Sequence, residues 1–318
     1  MPLHAALASL LTGLFDWAGL FPPAALPLDQ AVNQYAAQLQ HPLRALQARF
    51  IVPMARLDEF VPLALAAKKA DSRWALSLLG ERADSADSLR DSLHGQVSRI
   101  RNLLFTHGAH FDVQALELKL PQLESPAELA LLLKETGELL GPLSRPWFEL
   151  PEQDWQSGTD WVCSALAHYN DSFAGVPPAG LKVRCGGVTA EAFPPVEYLG
   201  QLILGCASRG VPMKFTAGLH HPVRHFDEGV QTRMHGFFNV IVAAVLAREL
   251  NLGKTEIEQI LFCEDPAEFH ISPNSLGFRG WRLDPQTLAA ARRTFATSIG
   301  SCSFQEPVED LRGMGLLE

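Results

Sequence analysis

The sequence has no C-x-x-C pair, no excess of basic charge and no apolar run approaching a membrane span, which needs roughly 20 residues. Its 5 cysteines, Cys163, Cys185, Cys206, Cys263 and Cys302, are odd in number and widely spaced. That argues against a disulfide framework or a structural zinc site and makes the reducing cytoplasm the expected compartment. Lys and Arg total 26 against 35 Asp and Glu, a formal charge of −9. Nucleic acid selects basic surfaces and is therefore not an expected partner. The richest late apolar segment, 240–250, is too short for a span and carries Arg248 and Glu249, so no membrane is expected either. The apolar start, 1–15, has no Lys or Arg ahead of its apolar stretch, unlike a secretory leader. Its Leu/Ala spacing predicts a packing helix. Two nucleotide signatures are missing as well: the G-x-G-x-x-G of doubly wound sheets and the G-x-x-x-x-G-K-[ST] phosphate loop.

What is there is 47% apolar against 19% charged residues, enough to bury a large core. Short apolar runs alternate with longer helix-like stretches about eight times. The runs are 19–21, 50–52, 74–79, 113–120, 147–150, 181–185 and 213–217, most of them ended by Pro or Gly. The helix-like stretches between them are 28–39, 57–69, 88–105, 125–140, 160–169 and 195–208, followed by 230–250, 254–262 and 284–297. Ser125-Pro126 reads as an N-cap followed by Pro at the first helical position. For the eighth run, 268–271 and 298–304 both qualify. Strand then helix, repeated, implies parallel strands with crossover helices. The length predicts an α/β (β/α)8 TIM barrel. The chain reads as a single domain over 1–318, with 1–15 as an N-terminal packing helix and 298–318 as a C-terminal extension.

Buried parallel strands normally read as apolar throughout, yet four of these runs carry charges. The fourth has Glu117 and Lys119, the fifth Glu149, the sixth Lys182 and Arg184, and the seventh Lys214 with Thr216. Residues two apart share a strand face. An unpaired charge in an apolar interior costs several kcal/mol, so these groups must meet one another or water. The inside of the barrel is the expected direction, near the C-terminal strand ends where this fold places active sites. The surplus of cations in that set points to a small anionic substrate bearing a phosphate or carboxylate. Gly186, Gly187 and Gly218 follow the sixth and seventh runs, where backbone N–H groups can approach a ligand oxygen. Just past the seventh run lie His220, His221, Arg224 and His225. His220 and His221 are candidates for proton transfer or anion contact. With Glu117 and Glu149 they would form a divalent-metal site, an alternative to a cofactor-free one. His235 and Asn239 read as a helix packing surface, and Cys185 as a small buried apolar residue.

Lys182-Val183-Arg184-Cys185-Gly186, next to Met213-Lys214-Phe215-Thr216-Ala217-Gly218, resembles class I aldolases of the deoxyribose-phosphate aldolase type. In that family the sixth strand reads roughly K-T-S-T-G and the seventh V-K-x-x-G-G. Arg184 replaces a small residue, and Ala217 stands where the family has the first glycine of its pair. The resemblance covers the central strands. It implies that Lys182 forms a Schiff base, that Lys214 lowers its pKa, and that Glu117 or Glu149 serves as the acidic residue. Independently of the family, a lysine is nucleophilic only when neutral, and a neighbouring cation favours that form. Either Lys182 or Lys214 fits that role. The expectation is a lyase or aldolase acting on a small anionic carbonyl compound. The alternatives are a metal-dependent lyase, isomerase or hydrolase, and a non-catalytic anion-binding barrel. Exposed helix faces leave room for a homo-oligomer.

Overall fold

The computed structural model describes residues 3–69, 72–151, 159–173 and 175–318. The chain opens with α1 (Ala5–Leu11) and β1 (Phe15–Trp17). Positions 1 and 2 of the expected 1–15 helix lie outside the described residues, and Phe15 at its other end already belongs to the strand. Then α2 (Leu28–Gln38), β2 (Gln47–Pro53), α3 (Leu57–Ala67), β3 (Trp74–Leu79), α4 (Ala86–His107) and β4 (Phe111–Lys119) alternate. The alternation continues through α5 (Pro126–Leu140), β5 (Arg145–Glu149), α6 (Thr159–Ser172), β6 (Gly180–Arg184), α7 (Val196–Arg209) and β7 (Met213–Thr216). A hairpin of β8 (His225–Asp227) and β9 (Thr232–Met234) precedes α8 (Phe237–Leu250) and α9 (Lys254–Phe262). A small antiparallel sheet of β10 (Phe269–Ile271), β11 (Leu276–Phe278) and β12 (Trp281–Leu283) follows. The described chain ends with α10 (Pro285–Thr294), β13 (Ala296–Ser301) and α11 (Gln305–Gly313).

The eight strands β1, β13, β7, β6, β5, β4, β3 and β2 close into one barrel in that order. All its pairings are parallel, and β1 seals it by pairing with both β13 and β2. This is a (β/α)8 TIM barrel. Among the described residues no helix is long and apolar enough to cross a membrane.

Local chemistry explains the helix starts. At α5 the Ser125 hydroxyl accepts from the Glu128 N–H, with Pro126 in the first turn. At α10 the Asp284 carboxylate accepts from the Gln286 and Thr287 N–H groups at 2.8 and 3.0 Å. Each such cap satisfies N–H groups that the helix leaves without a partner. α8 is apolar on every side, and its residues are buried from Phe237 to Ala247, as a helix inside the packed shell must be.

Two expectations are corrected and one open choice is decided. The first strand is Phe15–Trp17, not 19–21; a buried carboxylate, Asp16, stands at its centre and breaks the apolar signal. The expected helix over 230–250 begins only at Phe237. Upstream, the Asp227 carboxylate accepts from the Gly229 and Val230 N–H groups at 2.8 and 3.0 Å, and this turn closes the hairpin instead. The eighth barrel strand is Ala296–Ser301, while Phe269–Ile271 belongs to the small antiparallel sheet. That strand, Ala-Thr-Ser-Ile-Gly-Ser, is polar enough that the sequence left it level with 268–271. It also takes residues 298–301 out of the expected C-terminal extension and into the barrel.

Alternation along the strands sorts the side chains. Leu116, Leu118, Phe148, Leu181, Val183 and Phe215 join the apolar core between strands and helices, each burial contributing about 1.5–3 kcal/mol. Their neighbours on the other face, Glu117, Glu149, Lys182 and Lys214, are buried as well. The inside of this barrel is therefore ionic.

Candidate active site at the C-terminal mouth

Strand register sets the charges side by side. Lys119 lies opposite Glu149, Glu149 opposite Lys182, and Lys182 opposite Lys214. Together with Glu117, Asp16 and Arg49, the side chains of Glu149, Lys182 and Lys214 form one alternating chain of charge. The Lys182 ammonium pairs with Glu149 Oε2 at 2.7 Å and with Glu117 Oε2 at 2.8 Å. Lys214 takes the other oxygen of Glu117, Oε1, and also pairs with Asp16 Oδ2 at 2.9 Å. Asp16 Oδ1 in turn meets Arg49 at 3.2 Å. Two hydroxyls complete the chain: Ser77 Oγ donates to Glu117 Oε1 at 2.5 Å, and Ser298 Oγ donates to Asp16 Oδ2 at 2.7 Å.

Burial alone would raise the Asp16 and Glu117 pKa values. The paired cations outweigh it, so both carboxyls sit below their ordinary range, Glu117 far below. Burial would likewise lower the Lys182 pKa, but Glu117 and Glu149 outweigh it and hold the ammonium above the usual lysine range. This differs from the sequence expectation that a neighbouring cation pushes one lysine toward neutrality. The two ammonium groups do not face each other; Glu117 stands between them, one oxygen to each.

Sequence reasoning missed Asp16, Arg49, Ser77 and Ser298. With Asp16 and Arg49 included, the buried chain holds three carboxylates and three cations. The cation surplus lies instead at the rim. A cavity of about 370 Å³ opens at the C-terminal strand ends, with Glu117, Glu149 and Lys182 in its floor. Arg82, Lys119 and Arg184 line its wall together with Thr216. Lys182 reaches this cavity, whereas Lys214 lies beneath it, only 1% exposed.

The glycine loops divide. Gly187 and Gly218 line the cavity. Gly186 lies against Phe193, outside the cavity lining. Gly218 has φ +69°, and a Cβ there would stand 2.8 Å from the Phe193 ring and 2.9 Å from the Gly186 Cα. Both loops therefore need glycine for packing.

The histidines divide too. His220 lines the cavity, with Nδ1 3.1 Å from Glu306 Oε2. His221 does not: α11 draws it away, with Nδ1 2.6 Å from Asp310 Oδ2 and its ring against His225. His221 thus lies apart from the residues that line the cavity. Asn239 bonds to the backbone of Arg224, Ile260 and Cys263, and His235 Nε2 lies 2.8 Å from the Pro194 carbonyl. Both are packing residues, as expected. Cys185 is fully buried, and burial pushes its thiol pKa up.

Among the described residues no group of three or more His, Cys, Asp or Glu is placed to hold a metal, and the Glu117 and Glu149 carboxylates face lysines. The arrangement can hold an anion at the rim, present one lysine to it, and move protons along a chain of carboxylates.

No protein-family model matches the sequence, and no curated protein matches it. The likeness to class I aldolases therefore rests on the strand residues alone.

Proposed function

We propose that the barrel is an enzyme of lyase or aldolase type, acting on a small anionic carbonyl compound through an imine at Lys182. The observation that carries this reading is the position of Lys182. It lines the mouth cavity and touches two carboxylates. A carbonyl compound held at the rim by Arg82, Lys119 and Arg184 would present its carbonyl carbon to that nitrogen. The neutral Lys182 nitrogen, its proton lost to solvent, attacks the carbonyl carbon, the carbonyl oxygen takes up a proton, and the carbinolamine loses water to form the imine. Loss of an α-proton, or cleavage of the adjacent carbon–carbon bond with release of a second carbonyl compound, leaves an enamine. The enamine is reprotonated and water hydrolyses the imine, restoring the amine. Lys214, paired with Asp16 and Glu117, holds Glu117 in place; it is a positioning residue.

The test is α-hydrogen exchange in D2O. The full chain is incubated with a panel of aldehydes and 2-oxo acids, some bearing phosphate, and exchange is followed by NMR. Exchange with an anionic member, saturable in substrate, is the expected result. Absence of exchange across the panel would favour the non-catalytic reading.

A pH effect follows from the ion pairs. The neutral amine forms as pH rises through a folded-state pKa that Glu117 and Glu149 hold high, so the exchange rate should climb through the alkaline range. Glu149→Gln removes one of the two carboxylates on Lys182. Its rising limb is expected at lower pH than in the wild type. An unmoved limb would mean that Lys182 is not the titrating group.

A further inference from the structure

The opposite, N-terminal end of the barrel holds a second and larger cavity, of about 870 Å³. That falls within the ~300–1,000 Å³ range of small-molecule sites. In this fold the N-terminal face ordinarily serves stability, and stability does not call for an open cavity of this size. Its lining concentrates one kind of charge. Arg49 comes from β2, Arg145 from the first position of β5, and Arg292 and Arg293 from α10. The carboxylate that lines it, Asp112, lies 3.4 Å from Arg73 and accepts from Gln114. Among the described residues no carboxylate pairs with Arg145, Arg292 or Arg293. Arg145 lies over the Trp147 ring at 5.5 Å. Arg292 donates to the Leu10 and Ala296 carbonyls.

Two further groups are left waiting. Ser144 is 4% exposed, lines the cavity, and its Oγ has no hydrogen-bond partner among the described residues. Arg49 Nε is buried without a partner among them as well, although Nη1 of the same group holds Asp16. Buried polar groups are normally hydrogen-bonded. Burial pulls the Arg292 pKa down to about 9, Arg49 adding to that effect against Asp16. Burial and Arg49 also pull Arg145 down. An anion in the cavity would relieve all of these strains together.

We infer that this lower cavity is a binding site for a small phosphate-bearing molecule, with Arg145 and Arg293 as the principal contacts and Ser144 Oγ as a neutral donor. Planar guanidinium groups match phosphate oxygens two at a time, and the wall formed by Trp147 and Leu143 suits an apolar or aromatic body attached to the phosphate. The site is separate from the mouth. The two are joined through Arg49, which faces the lower cavity and pairs with Asp16, which pairs with Lys214.

The experiment is calorimetric titration of the full chain with inorganic pyrophosphate at ionic strength held constant with chloride. Saturable binding is expected in the wild type. The Arg145→Gln, Arg293→Gln double variant should lose tenfold or more in affinity. Arg184→Gln, which alters only the mouth, should leave that tenfold difference in place when combined with the double variant. Because Arg145 is partly buried, Arg293→Gln alone, on the exposed side of α10, is measured as well and should weaken binding if the double variant fails to fold. No saturable binding in the wild type would overturn the inference. So would a loss of less than tenfold in a folded double variant, or an Arg293→Gln affinity equal to wild type where only that variant folds.

Discussion

Glu117→Ala is expected to lose about 3–5 kcal/mol of folding stability, the range found when one partner of a buried ion pair is removed. Each Glu117 oxygen neutralises a different buried ammonium, Lys214 and Lys182. Removing the carboxylate leaves Lys214 with Asp16 and Lys182 with Glu149, side by side in the same interior. Domains are stable by only about 5–15 kcal/mol in total, so the loss would be plain in urea unfolding. Combining Glu117→Ala with Lys214→Met should cost less than the two single losses added together, because the second change removes a cation that the first leaves with one carboxylate instead of two. Simple additivity would mean that the pair is not coupled. The same residue sets the acid limit. Glu117 is held far below its ordinary pKa in the folded chain, so its contribution is complete above the unfolded value of about 4.3. The contribution shrinks as pH falls below that value and the unfolded chain takes up the proton.

Lys182→Arg should abolish imine chemistry while keeping the fold. Arginine retains the charge that Glu117 and Glu149 pair with, but it does not deprotonate in the working range. A structural role for Lys182 would survive this change; a nucleophile would not. The expected loss in exchange rate is on the order of 10⁴-fold, about 5.4 kcal/mol at 1.36 kcal/mol per decade. Thermal unfolding of the same variant should stay close to wild type. Activity within tenfold of wild type would return Lys182 to the structural network.

The barrel was legible because its long strands are apolar and its helices amphipathic; Trp74–Leu79 was readable to the residue. The short strands were not. Phe15–Trp17 has three residues with Asp16 in the middle, and the eighth strand, Ala296–Ser301, was legible only as one of two candidates until β1 and β7 flank it. The miss and the ambiguity share one cause. The barrel interior is ionic, and polar inward residues erase the apolar signature wherever a strand is short. Glu117, Glu149, Lys182 and Lys214 could be found because charges at alternate positions stood out against Leu116, Leu118, Phe148 and Phe215. Asp16 offered the same signal, a carboxylate between two aromatics, but without a strand assignment it had no inside to face. His221 failed for a different reason: a loop has no alternation to say which way a side chain points, and α11, which claims it, lies 89 positions downstream. The lower arginines come from β2, β5 and α10, and only closure of the barrel brings them together.

An imine at Lys182 can be captured by reductive trapping. The protein is mixed with aldehydes and 2-oxo acids, some of them phosphorylated, then reduced with borohydride, and the modified peptide is mapped by mass. The expected result is a substrate-sized adduct on Lys182, enriched for anionic carbonyls and absent in Lys182→Arg. Adducts confined to surface lysines such as Lys134 and Lys254, or no adduct with any carbonyl in the panel, would contradict it.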